Sequence, residues 1–333
     1  MSKTLVIAEA GANHNRDFSI AKKLIDAAVN SGSDIVKFQT YSSETLYAKN
    51  TPDFAGYENI NDLIKSIELP RSWQKDLKMY CDDSNIEFMS TPFDLLAIDQ
   101  LYDIGVKRLK IAGFESTDPR IVKHAASTNL PLIITAGIGV TLSMLKRIYN
   151  WAIDKNPDAD ITFLHGNNAY PTPYKDINLG QIKKINELGL PIKVGLSDHT
   201  RGILIPPVAV SLGAQVIEKH FTLDRGLPGP DHPFAIEPNE LKEMVGNIRI
   251  TEMSLGVKTG VYTASEALGF DKARRSVVSS KKIAKGEEIT LENVTTKRPY
   301  LENSIPAQNY YNIIGMTAKR QIEEDEIIFL GDL

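Results

Sequence analysis

Along the first two-thirds of the chain, short apolar and β-branched runs alternate with longer stretches in which apolar positions recur every three or four residues. The short runs are TLVIAEA (4–10), DIVKFQ (34–39), IEFMSTP (86–92), RLKIAG (108–113), PLIITAG (131–137), ITFLHG (161–166), IKVGLS (192–197) and QVIEKHF (215–221). Their length and residue types predict strands. Between them, FSIAKKLIDAAVNSG, DLLAIDQLYDIG, PRIVKHAAST, TLSMLKRIYNWAI, LGQIKKINELG and ILIPPVAVSLG predict amphipathic helices, several closed by glycine. Eight βα units in about 220 residues predict an α/β fold of the closed (β/α)8 TIM barrel kind. A doubly wound open sheet competes with it, but the G-x-G-x-x-G that usually follows its first strand is missing, and the chain there reads EAGANHN.

The connection between the second and third strands, residues 40–70, is long and rich in Tyr, Asn, Asp and Ser, which predicts a lid or substrate wall. PNELKEMVGNIRITEMSLG predicts a last helix closing the barrel. The texture then changes to short β-like pieces and turns without βα alternation. Residues 1–258 are therefore expected to form the barrel, 259–271 a linker, and 272–333 a small, mostly β domain.

With 333 residues, 42% hydrophobic and 24% charged, the chain can bury one large core and a small one. A net charge of −4 gives no reason to expect nucleic acid or an anionic membrane as a partner. Cys81 is the only cysteine, which excludes an intrachain disulfide and a thiolate metal cluster and suits a cytoplasmic location. Its expected role is packing. The apolar run in MSKTLVIAEAG is too short for a signal peptide or a membrane span.

Candidate chemistry concentrates in residues 195–232, GLSDHTRGILIPPVAVSLGAQVIEKHFTLDRGLPGPDH. Ser197, Asp198 and His199 close one predicted strand; Glu218, Lys219 and His220 close the next. If these strands are parallel neighbours, both histidines face one cavity and can share a metal. The plainer reading, that each histidine satisfies a loop, weakens for two at matching strand ends among carboxylates. The C-terminal strand ends of a TIM barrel carry its chemistry, and the other ends here are polar too. Strand 1 supplies Glu9, then Asn13 and His14; strand 2, Lys37 and Gln39; strand 3, Ser90 and Thr91. Strand 4 carries Lys110 and is followed by Glu115, strand 5 has Thr135, and strand 6 has His165 with Asn167, Asn168 and Tyr170 beyond. Lys37 and Lys110 among hydroxyls and amides predict a phosphate-like anion site, against structural ion pairs with Glu9 or Glu115. Two neutral imidazoles suit Mn, Zn or a related divalent ion with positions left open to water and substrate.

The motifs IAEAGANHN, VKFQT, STPF, LKIAGFE, NAYPTPY, GLSDHT, EKHFTLDRGLPGPD, ARRSVV and KRP, in that order, resemble the sialic acid synthase family over nearly the whole chain. That family, the N-acetylneuraminate, legionaminate and pseudaminate synthases, condenses phosphoenolpyruvate with an N-acyl hexosamine to nine-carbon 2-keto acids. The resemblance implies that the tail is an antifreeze-like SAF domain and that the protein is a domain-swapped homodimer. It implies a divalent metal, Mn with Mg or Co as other candidates, on His199 and His220. Phosphoenolpyruvate would meet Lys37, Lys110, Thr91, Ser197 and Thr135. The acceptor, N-acetylmannosamine or a 6-deoxy diacetamido hexose, would meet Glu9, Gln39, Glu115, Tyr170 and Asp231, with Arg298 coming from the other subunit. Asn168 joins the substrate-binding set, and Glu9, Lys37, Lys110 and Glu115 form the expected catalytic set.

The chain departs from the family pattern at four places. Gly113 stands where a serine is usual and removes a hydroxyl from the anion site; Gly166 stands where strand 6 usually reads HC; Thr135 replaces a serine; Tyr300 follows KRP where a glycine is usual. FESTD after Lys110 is similar to the pseudaminate branch and RGLPGPDH to the sialic and legionaminic branches, so the acceptor stays open. Two rival functions are a Schiff-base pyruvate aldolase using Lys110 and a non-catalytic sugar- or ice-binding protein. The polar ring of strand ends speaks against the second.

Overall fold

In the computed structural model, which describes residues 3–51 and 59–333, the alternation becomes β1 (Leu5–Gly11), α1 (Phe18–Ser31), β2 (Ile35–Thr40), α2 (Ser43–Leu46), α3 (Ile60–Ile67), α4 (Gln74–Asp83) and β3 (Glu87–Pro92). It continues through α5 (Leu95–Asp103), β4 (Leu109–Ile111), α6 (Pro119–Ser127), β5 (Leu132–Ala136), α7 (Leu142–Ile153), β6 (Ile161–Gly166), α8 (Gly180–Asn186), β7 (Lys193–Asp198), α9 (Ile205–Ser211), β8 (Val216–His220) and α10 (Pro238–Ser254). The strands are parallel and run in the order β3-β2-β1-β8-β7-β6-β5-β4. β3 and β4 lie side by side without a hydrogen-bonded ladder, so the expected (β/α)8 barrel closes except at one seam.

Local signals explain the helix ends. Asp17 caps α1 by accepting the Ser19 and Ile20 N–H groups, and Gly32 ends it in the left-handed region at φ 78°. Asp118 caps α6, with Pro119 in its first turn. The long connection after β2 contributes α2 and α3, and its residues 52–58 lie outside the described residues. Sequence periodicity misses α4 because only Gln74, Leu77 and Cys81 of that helix are buried. Cys81 packs there, as expected, and burial pushes its thiol up to about 12.

Strand alternation builds the barrel interior in layers. Leu5, Ile7, Ile35, Met89, Ile133, Leu164 and Val216 pack inside the barrel. Their strand neighbours Val6, Ala8, Val36, Phe38 and Ile217 face the helices in the main core. Towards the C-terminal ends the inward positions turn polar: Glu9, Lys37, Thr91, Lys110, Thr135, Ser197 and Glu218. β4 stops short of its expected span because the chain turns at Gly113, whose backbone lies against Gly137.

The chain divides into two units, Met1–Leu255 and Gly256–Leu333. The second unit begins at Gly256, three residues before the stretch read as a linker, and in that stretch Thr263 and Glu266 form a capping box for a short 3-10 turn leading into α11 (Ala267–Lys272). It then forms an antiparallel pair, β9 (Ser276–Ser279) and β10 (Val294–Lys297). Val277, Ile283, Ile289, Ile305 and Ile322 make its core. Among the described residues, no helix is long and apolar enough to cross a membrane.

Candidate active site

Because β1 lies between β2 and β8, Glu9 stands opposite Lys37 on one side and His220 on the other. Lys37 Nζ is 3.2 Å from Glu9 Oε2 and 3.3 Å from Glu218 Oε2, and it donates to Thr91 Oγ1 at 3.0 Å. Lys110 Nζ is 3.5 Å from Glu218 Oε1 and donates to Thr135 Oγ1 at 2.8 Å. Ser197 donates to the same Glu218 oxygen at 2.9 Å, and Gln39 Nε2 donates to Glu9 Oε1 at 2.8 Å. Glu218 is thus the hub of the layer. Sequence reasoning places it at a strand end without giving it a role. The available signal was its spacing, two residues before His220 and therefore on the same face of β8.

Burial would raise the Glu218 carboxyl, but Lys110 and Lys37 outweigh it and hold it down at about 2. Burial pushes Glu9 up to about 7 against the pull of Lys37, and lowers Lys110 to about 8 in spite of Glu218. Burial also acts to lower Lys37, yet Glu218 and Glu9 together leave it above its ordinary value. Near neutral pH, Lys37 and Glu218 are charged, while Glu9 and Lys110 can exchange protons.

β7 and β8 are adjacent, as a shared metal requires, and the rings of His199 and His220 are 5.5 Å apart. His199 Nδ1 meets the Asn167 carbonyl oxygen at 2.6 Å, which assigns the proton to Nδ1 and leaves the Nε2 lone pair facing Ser197 Oγ at 3.4 Å. His220 Nδ1 is buried without a hydrogen-bond partner, 3.6 Å from Asp231 Oδ2. Burial lowers both imidazoles, so both are neutral at pH 7. No group of three or more His, Cys, Asp or Glu is arranged for a metal among the described residues. The two imidazoles fit a divalent ion that keeps its other positions for water and substrate.

A cavity of 230 Å³ opens at these strand ends, with Gln39, Asn168, Tyr170, His220 and Asp231 as its polar lining. The Tyr170 ring lies 4.3 Å from that of His199. Burial raises Asp231 to about 6, opposed by the Ala12 N–H. Leu46 from α2, with Ile64 and Ile67 from α3, makes an apolar wall, so the described part of the 40–70 connection borders the cavity.

Not every predicted residue joins this cluster. Glu115 does not pair with Lys110, which turns to Glu218; it lines a neighbouring cleft of 350 Å³ that shares Leu46, Phe93 and Phe114 with the cavity. Its Oε2 is buried without a partner, and burial raises the carboxyl to about 7. Ser90 and His165 fall on outward strand positions. Ser90 bonds to Thr40 at 2.7 Å, and His165 Nε2 meets the Ile177 carbonyl oxygen at 2.6 Å. Asn13 donates from Nδ2 to the Phe221 carbonyl oxygen at 2.8 Å while its Oδ1 is buried without a partner, and His14 Nδ1 accepts the Arg16 N–H at 3.0 Å. Arg298 belongs to the second unit, where it is exposed and donates to the Ala273 carbonyl oxygen at 2.6 Å. In the same unit the Arg274 guanidinium packs on the rings of Phe270 and Tyr300, at 3.6 and 4.0 Å, which gives Tyr300 a packing role.

Gly113 has a steric reason. A Cβ there would stand 2.9 Å from Gly137 Cα and 3.2 Å from Asn168 Nδ2, so the backbone leaves no room for a serine. Asn168 Oδ1 in turn accepts the Ile138 N–H at 2.8 Å, joining the loops after β4, β5 and β6.

Comparison with known proteins places the chain among sequences of like architecture. The profile described as "NeuB family" matches residues 24–260, and that of the "SAF domain" matches residues 274–333. The N,N'-diacetyllegionaminic acid synthase of Campylobacter jejuni is 39% identical, over 98% of this chain and 99% of its own length. The pseudaminic acid synthase of Helicobacter pylori is 33% identical, over 98% and 97%. The crystal structure of an N-acetylneuraminic acid synthetase from Leptospira borgpetersenii in complex with citrate is similar, with a TM-score of 0.73 and 32% identity over 81% of this chain and 90% of that one.

Proposed function

This chain belongs to the NeuB family and is an enzyme of its synthase class, and from that premise we propose that it condenses phosphoenolpyruvate with an N-acyl hexosamine to a nine-carbon 2-keto sugar acid and phosphate. The acceptor is N-acetylmannosamine or a 6-deoxy diacetamido hexose. One observation carries the reading: two buried ammoniums, each bonded to a threonine hydroxyl, share a polar layer with two neutral imidazoles.

Lys37 and Lys110 hold the phosphate and carboxylate of phosphoenolpyruvate, and the hydroxyls of Thr91, Thr135 and Ser197 add donors. His199 and His220 hold the divalent ion, Mn with Mg or Co as other candidates. When bound, that ion supplies Lewis-acid polarisation of the aldehyde of the open-chain sugar. Gln39, Asn168, Tyr170 and Asp231 orient the sugar. C3 of phosphoenolpyruvate bonds to the aldehyde carbon, water adds at C2, and the C–O bond to phosphate breaks. Lys37 and Lys110 stabilise the charge gathering on the departing phosphate. Glu9 takes one proton of the added water and returns it to the former aldehyde oxygen, while the C2 hydroxyl proton leaves with the phosphate as the ketone forms; Glu115 is the second acid–base candidate. The same reading includes a cytoplasmic, domain-swapped homodimer in which the SAF domain of one subunit brings Arg298 to the acceptor end of the other.

Phosphate release from phosphoenolpyruvate, followed with Mn and a panel of N-acetylmannosamine and 6-deoxy diacetamido hexoses, tests the proposal. No release with any sugar by metal-replete protein removes it. The aldolase reading gains some support from the lowered Lys110. Borohydride trapping with pyruvate would label an aldolase, which metal chelation would leave active.

A further inference from the structure

Directly behind the two imidazoles, on the outer face of the sheet, lies a charged pair that the proposed reaction does not use. The alternation that turns Ser197, Glu218 and His220 inward turns Asp198 and Lys219 outward, and the register sets them opposite each other across β7 and β8. Lys219 Nζ donates to Asp198 Oδ2 and to the Thr200 carbonyl oxygen, both at 2.7 Å. Asp198 Oδ1 accepts the Thr200 N–H at 3.0 Å. Both backbone groups of the residue following His199 are therefore held by this pair. The His199 carbonyl oxygen is fixed from the other side by the Thr172 N–H at 2.9 Å.

The side chains of Lys219 and Asp198 are 2% and 0% exposed, and neither lines the cavity. A buried ion pair adds little net stability over an apolar pair of similar shape, so stability alone does not account for it. What the pair does supply is a fixed geometry between the end of β7, which carries His199, and the end of β8, which carries His220.

We propose that Asp198 and Lys219 are a positioning pair that sets the spacing of His199 and His220 for one shared divalent ion. The proposal rests on the metal reading given above. It makes them act one step further out than the groups that bond directly to a ligating imidazole, through the Thr200 backbone rather than the His199 ring; loss of such direct partners typically weakens metal binding about 10- to 100-fold, and the lower end is expected here.

The test is the double variant Asp198→Asn/Lys219→Met in the full chain, which removes both charges together and leaves neither one buried alone. Mn binding is read by electron paramagnetic resonance titration without substrate. Metal-free phosphoenolpyruvate binding is read by calorimetry, and folding by circular dichroism and thermal melting. The expected result is at least a tenfold loss of Mn affinity with a much smaller change in phosphoenolpyruvate affinity, since the cationic contacts Lys37 and Lys110 sit on β2 and β4 and only the Ser197 hydroxyl comes from β7. Unchanged Mn affinity overturns the proposal. So does a parallel loss of both ligands with a lowered melting temperature, which is what a merely structural pair would give. Wild-type protein that binds no Mn overturns the metal reading and this inference with it, whereas binding by wild type alone separates the two. Should the double variant fail to fold, Asp198→Asn by itself carries the same expectation at about threefold, because its amide still offers Lys219 one oxygen.

Discussion

Lys37 and Glu218 meet 3.3 Å apart inside a barrel whose next layer towards the N-terminal end is apolar. Glu218 also faces Lys110 at 3.5 Å, so one carboxylate separates two buried ammoniums. That negative charge, joined at Lys37 by Glu9 at 3.2 Å, lets both lysines remain protonated enough to receive an anion.

Glu218→Gln should therefore destabilise the fold at pH 7 by about 3–5 kcal/mol, the usual cost of removing one partner from a buried pair. The folded carboxyl is held at about 2, below its ordinary value of 4.5. Its stabilising contribution is present above 4.5 and is lost as pH falls towards 2. Urea unfolding of wild type and variant across that window should show their difference shrinking with acid. A difference independent of pH would contradict the assigned charge state.

Gly113→Ser, which supplies the hydroxyl that the family resemblance leads one to expect there, should not improve phosphoenolpyruvate binding. The added Cβ presses on the Gly137 backbone at 2.9 Å. Thermal melting should show a loss of about 1–3 kcal/mol, typical of overpacking, with KM for phosphoenolpyruvate the same or higher. A lower KM at unchanged stability would show that the two loops separate readily.

His199→Ala and His220→Ala should each abolish tight Mn binding while leaving the circular dichroism spectrum intact. His124→Ala is the control: His124 lies on α6, partly exposed, and bonds to Asp99 at 2.7 Å, far in the chain from either strand end. Its loss should cost less than about 1 kcal/mol and no metal affinity. Equal loss in all three variants points to general destabilisation.

Glu115 offers a pH signature. Burial raises its carboxyl to about 7 from an ordinary 4.5, so the folded protein holds this proton more tightly than the unfolded chain. The corresponding stability is complete below 4.5 and disappears as pH rises through 7. Glu115→Gln, which mimics the protonated form, should match wild type near pH 4.5 and exceed it in stability near pH 8. Carbon-13 NMR of the labelled carboxyl should place its midpoint near 7; a midpoint near 4.5 would overturn the environment assigned to it.

Much of the site was legible because strand alternation is local. Once the strands are placed, Glu9, Lys37, Thr91, Lys110, Thr135 and Ser197 fall on inward positions by counting in twos, and the pairing of His199 with His220 needs only that β7 and β8 be neighbours. The same count, applied strictly, would have turned Ser90 and His165 outward and brought in Glu218.

The sequence by itself determined the βα alternation, the switch from apolar to polar layers inside the barrel, and the residue types available for anion and metal binding. Tertiary structure decided which of them meet. Lys110 pairs with Glu218 from β8 rather than with Glu115, five residues away in its own chain, because reach across a barrel depends on strand stagger and tilt, which no local pattern encodes. It also decided that Gly113 is a contact between two backbones and that Asp198 and Lys219 brace the strands behind the imidazoles. Both are relations between consecutive strands, fixed only when those strands pair in register.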